Sequence, residues 1–510
     1  MTGAESLLRT LTASGIDVCF MNPGTSEMHF VAALDRVPAM RGVLCLFEGV
    51  CAGAADGYAR MARRPAATLL HLGPGLANGL SNFHNARKAR SPIVSLVGEH
   101  STRHLAYDAP LTADIEAFAR TVSGDVFRLE SAEAMGETAA RAIAAARRYP
   151  GRVSMLIIPA DYSWSESGAV GVAAAPGAPR VPDVMAVARA VHGVAEKGII
   201  LGGGTLTGRG LELAARFAAG GWRVFADRNA ARVEGGRGRY QPERIVYFPG
   251  PAQAQLAGLM DLVLVEAKAP VSFFGYPDEA SYLAPEDCRV HVLADVDEDG
   301  TAALEALAEE LRLPPGTYME TAPAERPLDG ALTLDGIGAA IAALLPEGAI
   351  VSDEMVSSGP PVLAQLRRAE RFDYMPVTGG SIGQGMPVGV GAAVACPDRK
   401  VVVLEGDGSG MYTPQSLWTM VREGLDVVTV IFANRRYRIL DVEMRRTGAN
   451  GFGEKANEMV DMTRPEIDWV RLAESMTVPA ARADTLGEFA ALFAVAMRER
   501  GPRLIAANLP

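Results

Sequence analysis

The stretch KVVVLEGDGSGMYTPQSLWTMVREGLDVVTVIFAN, residues 400–434, decides how the rest of the chain is read. One apolar, β-branched run, Val401 to Leu404, leads into Gly406-Asp407-Gly408-Ser409; a second, Val427 to Phe432, ends at Asn434. Short runs closed by Gly or Asn read as buried strands, and their alternation with helical patterns is the mark of βαβ units and parallel sheets. Ligands of a parallel sheet collect at the carboxyl ends of its strands, so Asp407 and Asn434 are expected to face one site. A carboxylate and an amide oxygen are hard donors suited to Mg²⁺, which takes few protein ligands and fills its octahedron with phosphate and water oxygens. Glycines beside Asp407 let backbone N–H groups approach a phosphate closely. Gly-Asp-Gly is equally common as plain turn punctuation, so the metal reading needs support from elsewhere in the chain.

The same alternation extends over about Leu332 to Pro510, with further strands at GAIVSDE and RLIAANLP, and over about Met1 to Pro159, with strands at DVCFMN, AATLLHL, SPIVSLVG and VSMLIIP. Between them, the Ala/Gly/Pro-rich AVGVAAAPGAPRVP favours an extended connection. It introduces a third α/β segment, with strands at GIILGGG, RVFADRN, LVLVEA and RVHVLAD, that closes near AERPLDG. At ~150 residues per domain a chain of 510 accommodates three domains. They are expected at 1–165, 180–325 and 330–510. The outer two match in size and pattern, which is compatible with duplication.

Composition excludes several classes. With 49 Lys+Arg against 60 Asp+Glu the net charge is −11, which argues against a nucleic-acid partner because that surface needs a concentrated positive field. The 5 cysteines are odd in number and lack C-x-x-C spacing, so reduced, buried thiols are expected rather than a disulfide framework or thiolate zinc site. MTGAESLLRTLTASG carries neither a basic leader nor a continuous apolar core, and no apolar run approaches the ~18 residues that would span a bilayer. A cytoplasmic protein without membrane contact is the expectation.

Gly406-Asp407-Gly408 followed by Asn434 resembles the metal–diphosphate motif of thiamine-diphosphate enzymes. The first domain resembles the pyrimidine-binding domain of acetolactate synthase and benzoylformate decarboxylase in NPGTSEMHF (22–30), LFEGVCAGAADGYAR (46–60) and LHLGPGLANGLSNFHNARKARSPIVSLVGEH (70–100). TGGSIGQGMPVGVGAAVA (378–395) is similar to the family's Gly-rich cofactor segment, so the resemblance covers nearly the whole chain. It implies an α/β fold of three Rossmann-like domains with parallel sheets: pyrimidine-binding, central and diphosphate-binding. The implied cofactors are thiamine diphosphate and Mg²⁺. The cofactor would lie between the first domain of one copy and the third of another, requiring at least a homodimer, with a homotetramer typical.

The resemblance also implies roles. Glu48 becomes the carboxylate at pyrimidine N1′ that drives the cofactor's 4′-imino tautomer, although a Glu opening an Ala-rich helix is favoured by the dipole in any case. Asp407, Asn434 and the backbone carbonyl of Arg436 become Mg²⁺ ligands; the family's Asn-Asn pair is here Ala433-Asn434, which keeps the ligating position. Ser357 and Ser409, with Gly406 and Gly408, fall at the diphosphate, Gly380 beside the aminopyrimidine, and Tyr437 in the cofactor-binding segment. Ile382 takes the place of the residue that wedges the cofactor into its bent shape, a role compatible with core packing. His71 and Thr25 fall at the active-site His and substrate-contacting Ser positions of benzoylformate decarboxylase; a His at a strand end can equally be structural.

Leu440 matches an apolar pocket position, whereas Gly275 stands where that enzyme has its second His and Glu443 replaces an aromatic residue, and these two departures point away from benzoylformate and other aryl substrates. His100 and His104 follow a strand and reach either the pocket or solvent. Arg435, Arg436 and Arg438 offer a carboxylate clamp or ordinary surface pairing.

In the middle domain, Gly202-Gly203-Gly204-Thr205-Leu206-Thr207-Gly208 follows a strand, and Asp227 ends the next one, a superficial dinucleotide fingerprint whose spacing has one residue too many. Acetolactate synthases carry FAD there and decarboxylase relatives leave the sheet empty, so FAD is not expected. The implied activity is decarboxylation of a 2-oxo acid followed by carboligation, as in acetolactate synthase. The nearest alternative is a simple 2-oxo acid decarboxylase; a non-catalytic module or a nicotinamide enzyme fits less well.

Overall fold

The computed structural model describes residues 1–318, 320–449 and 451–510. The first sheet contains β1 (Val18–Asn22), β2 (Arg41–Leu44), β3 (Ala66–Leu70), β4 (Ile93–Glu99), β5 (Asp125–Arg128) and β6 (Val153–Pro159), all parallel in the order β2-β1-β3-β4-β6-β5. In the central region β7 (Lys197–Leu201), β8 (Arg223–Ala226), β10 (Glu243–Arg244), β11 (Asp261–Val265) and β12 (Arg289–Ala294) form a parallel sheet ordered β10-β8-β7-β11-β12. Here β9 (Val233–Gly235) leaves its neighbours and pairs antiparallel with the third sheet.

That third sheet holds β13 (Ala349–Glu354), β14 (Phe372–Pro376), β15 (Val401–Gly406), β16 (Val427–Ala433), β17 (Ala480–Ala483) and β18 (Arg503–Asn508). Its order, β14-β13-β15-β16-β18-β17, repeats the connectivity of the first sheet strand for strand, with β9 covering the β14 edge that would otherwise be open to pairing. In both sheets the strand order reverses between the first and third strands, which is where a doubly wound sheet opens a ligand crevice.

The outer sheets share a core. Helix α1 (Glu48–Ala62) packs against the helix Gly385–Ala395, and Val50, Ala54 and Tyr58 join Met386, Val390 and Val403 in one buried cluster. The helices touch because glycine lines the seam: a Cβ on Gly57 would stand 2.1 Å from the Val388 carbonyl oxygen, and one on Gly391 1.8 Å from that of Ala54. A buried polar network crosses the same seam. Arg60 pairs with Asp56 and donates to the Pro376 carbonyl at 3.1 Å, while Gln384 donates to Asp56 at 2.8 Å. Such a network is stable only when each member is satisfied, so it fixes how the two sheets sit.

Among the described residues no helix is long and apolar enough to cross a membrane. The cysteine expectation needs one correction: Cys19, Cys45 and Cys51 are buried, whereas Cys288 and Cys396 are only partly so. Cys288 just precedes the sheet-edge strand β12 and Cys396 just follows the helix Gly385–Ala395, and burial is shallower at such ends.

Candidate active site

The carboxyl edge of the first sheet gathers Thr25, Glu48, His71 and His100, which follow β1, β2, β3 and β4 in turn. Glu48 opens α1 and is 8% exposed; its Oε2 accepts from Asn78 Nδ2 at 3.0 Å. It fits because Gly75 has no side chain: a Cβ there would stand 3.1 Å from Glu48 Oε1. His71 caps the helix α2 (Leu72–Ala89), and its ring lies flat on Gly24, where a Cβ would meet it at 2.3 Å.

His71 Nδ1 is 2.7 Å from Glu27 Oε2, and the same oxygen accepts the Gly24 N–H at 2.8 Å. Glu27 is buried against Gly98, its Oε1 has no hydrogen-bond partner among the described residues, and burial pushes its carboxyl up. Thr25 is exposed beside this pair. His100 is half-buried; its backbone N–H bonds the Glu99 carboxylate at 2.8 Å, and its ring packs at 5.3 Å on His104, which is exposed.

The carboxyl edge of the third sheet gathers the second group. Asp407, at the end of β15, is 5% exposed, and its oxygens accept the N–H groups of Gly408, at 2.9 Å, and Arg435, at 2.5 Å. Among the described residues it forms no ion pair with a side chain, and burial pushes its carboxyl up to about 6. Asn434 Oδ1 accepts the Arg436 N–H at 3.0 Å, and the Arg436 carbonyl accepts that of Arg438 at 2.8 Å. Each of these oxygens retains a lone pair. A buried carboxylate with no side-chain ion pair among the described residues, beside an amide and a carbonyl oxygen, is a donor set that fits a hard divalent cation. No group of three or more His, Cys, Asp or Glu side chains placed to hold a metal ion occurs among the described residues, so such a cation would keep several non-protein oxygens.

Ser357 lies after β13, where the order reverses toward β15. Gly406 is partly buried, Gly408 is buried, and a Cβ on Gly408 would stand 2.5 Å from the Tyr437 ring, which roofs the turn. The Ser409 hydroxyl donates to Glu405, which lies beside Glu354 at the ends of β15 and β13. Burial raises both carboxyls, Glu354 to about 7, while its oxygens accept the N–H groups of Gly383 and Gly385 at 2.7 and 2.6 Å.

Gly380, with φ +78°, is exposed at a turn and faces Phe273 of the central region, whose Cζ would stand 2.3 Å from a Cβ. Ile382 is half-buried in the same loop, which Asn85 holds through the Ser381 carbonyl at 2.7 Å. Leu440 is 44% exposed on the helix Arg438–Arg446, and Glu443 on that helix accepts from Tyr276 Oη at 3.2 Å. The approach to Gly380 is therefore aromatic, through Phe273 and its neighbour Phe274, even though position 443 is not. Arg435 and Arg436 are engaged with Asn508 and Asp441, which leaves neither side chain free to clamp a substrate.

Among the described residues no hydrogen bond or ion pair joins Thr25, Glu48 or His71 to Asp407, Asn434 or Tyr437 within the chain. Sequence reasoning missed Glu27, Asn78, Glu354, Glu405 and Phe273. Glu27 accepts the Gly24 N–H from three residues on, but glycine has no side chain to complete a capping box, so no local signal marks it. The others depend on contacts between distant segments.

Comparison with known proteins gives concordant matches. Residues 1–119 match the family described as thiamine pyrophosphate enzyme, N-terminal TPP binding domain, and residues 361–507 its C-terminal TPP binding domain. The chain is 50% identical over 518 residues to a Mycobacterium tuberculosis protein named "Putative acetolactate synthase large subunit IlvX", covering 100% of this chain and 99% of that one. It is 28% identical to benzoylformate decarboxylase of Pseudomonas aeruginosa, over 84% of this chain and 85% of the other. The fold matches the thiamine diphosphate-dependent 4-hydroxybenzoylformate decarboxylase of Rhodococcus jostii RHA1 with a TM-score of 0.85 at 23% identity, covering 100% and 99% of the two chains.

Proposed function

Since the chain belongs to the thiamine pyrophosphate enzymes, we propose that it decarboxylates a 2-oxo acid and joins the remaining fragment to a second carbonyl compound, as its acetolactate-synthase relatives are named for doing. In this reading residues 1–165 bind the pyrimidine, 330–510 the diphosphate, and 180–325 form the central domain. The two half-sites on separate sheet edges meet across a dimer. Bound thiamine diphosphate supplies a carbon nucleophile for the 2-oxo group and an electron sink for the loss of CO₂.

The protein's own part is to hold, orient and move protons. Asp407, Asn434 and the Arg436 carbonyl hold Mg²⁺; Gly406, Gly408, Ser357 and Ser409 hold the diphosphate; Gly380, Ile382 and Tyr437 orient the rings. Glu48 exchanges a proton at pyrimidine N1′, from a buried position where among the described residues Asn78 is its one side-chain hydrogen-bond partner. His71 and Thr25, with His100, Leu440 and Glu443 further out, line the substrate side. The observation that carries the reading is Asp407, a buried carboxylate that among the described residues forms no side-chain ion pair, at the point where the strand order reverses, with Asn434 beside it.

One observation favours a second outcome. His71 stands in contact with the buried Glu27 on the substrate side, and in this second reading its imidazole delivers a proton in place of carbonyl capture, which makes a simple 2-oxo acid decarboxylase. Incubation of the Mg²⁺- and thiamine-diphosphate-loaded protein with a panel of 2-oxo acids, with and without aldehyde or 2-oxo acid acceptors, separates the two. Hydroxyketone or hydroxy-oxo-acid products support carboligation, aldehyde alone supports the decarboxylase, and no CO₂ release from any member refutes both.

A further inference from the structure

The central Gly-rich turn tests whether the flavin carried by acetolactate synthases fits this chain. In a dinucleotide-binding sheet the turn after the first strand points backbone N–H groups at a pyrophosphate. Here the turn follows β7, and a side chain already fills it. Glu266, directly after β11, is 7% exposed and adopts φ +49°, a left-handed conformation unfavourable for any residue but glycine and found where the surroundings impose it. That turn swings its carboxylate across the loop. Oε2 accepts the Gly204 N–H at 2.7 Å, and Oε1 accepts the Gly300 N–H at 2.9 Å, at the start of the helix Gly300–Glu310.

Space is taken as well as hydrogen bonds. A Cβ on Gly203 would stand 2.0 Å from Glu266 Oε2, and one on Gly300 2.6 Å from Oε1, so the glycines admit the carboxylate rather than a larger anion. Tyr149 from the first domain closes the remaining side, its hydroxyl 3.4 Å from Oε1. Asp227, at the fingerprint's ribose position, accepts the N–H of Asn229 in its own turn at 3.2 Å.

We propose that Glu266 is an internal anion occupying the seat a pyrophosphate would need, so that the central domain takes neither flavin nor another dinucleotide and serves as a closed spacer. The inference concerns the central domain alone and stands whichever 2-oxo acid is the substrate. A carboxylate held by two charge-assisted N–H bonds repels a second anion and already occupies the Gly204 and Gly300 donors.

The test is equilibrium dialysis of FAD and of ADP against the Mg²⁺- and thiamine-diphosphate-loaded protein, alongside Glu266→Gly, which vacates the seat and suits the positive φ. The wild type should bind neither nucleotide saturably and purify colourless. Glu266→Gly should bind ADP at least about tenfold more tightly than the wild type. Stoichiometric flavin or saturable ADP binding by the wild type overturns the proposal, as does a folded Glu266→Gly with no gain. Should that variant fail to fold, Glu266→Gln reads the same contact by hydrogen exchange. Protection of the Gly204 and Gly300 amides should fall, and unchanged protection overturns the assignment.

Discussion

Replacement of Glu48 by Gln tests the reaction chemistry most directly. The side chain is 8% exposed, bonds Asn78 at 3.0 Å and packs over Gly75. An amide of the same shape keeps the Asn78 bond by presenting its oxygen, and keeps the packing, so the fold and thiamine diphosphate binding should be unchanged. What disappears is a group able to take and return a proton. Proton transfer by a positioned side chain is worth 10²–10⁴-fold, or about 3–5 kcal/mol at 1.36 kcal/mol per tenfold. CO₂ release from the best 2-oxo acid should therefore fall by at least about 10²-fold, while equilibrium dialysis shows cofactor retention equal to wild type. Activity within about tenfold of wild type with the cofactor retained refutes the assignment of the proton-relaying carboxylate.

Asp407→Ala removes the carboxylate that pins the Gly408 and Arg435 N–H groups; Mg²⁺-dependent binding of thiamine diphosphate, followed by protein fluorescence, should weaken by about 10²-fold or more, and wild-type affinity contradicts the metal assignment. Gly391→Ala places a Cβ 1.8 Å from the Ala54 carbonyl oxygen and forces the two helices apart; thermal unfolding should show a loss of about 1–3 kcal/mol, and an unshifted melt contradicts the close seam.

Glu354 supplies a pH dependence. Burial raises its carboxyl to about 7 from the ordinary 4.5, so the folded protein keeps a proton that the unfolded chain has released. The associated stability is fully present below pH 4.5 and is lost as pH rises through about 7. Denaturant midpoints of the cofactor-free protein should fall across that window, and Glu354→Gln should shrink the fall; equal slopes in the two proteins refute this reading.

Much of the architecture was legible in local sequence. Runs such as Val401–Leu404 and Val427–Phe432 are β-branched, uninterrupted and closed by Gly or Asn, and that local grammar predicts a buried strand without tertiary information. The strands that escaped notice are β2, β5, β9, β10, β14 and β17: all but β14 sit at a sheet edge, where polar residues such as Arg41, Asp125, Glu243 and Arg482 are tolerated, and β14, flanked on one side only by the three-residue β9, carries Asp373. Asp407, Asn434, Glu48 and His71 could be named as candidates because each sits at the end of a readable strand or the start of a readable helix, within a motif of fixed spacing.

The partners of those residues were not identifiable from sequence. Glu27 reaches His71 across 44 positions, Phe273 reaches Gly380 from the region of the central sheet, and Glu266 reaches Gly204 and Gly300 from between them. Sequence by itself determined the strand–helix alternation, the acidic balance and the residue types at the strand ends, because those follow from side-chain chemistry and local backbone preference. Tertiary structure alone decided which carboxylates are buried, which oxygens stay free for a cation and which glycine turn is already filled, because burial and hydrogen-bond satisfaction depend on what distant segments bring to the same few ångströms.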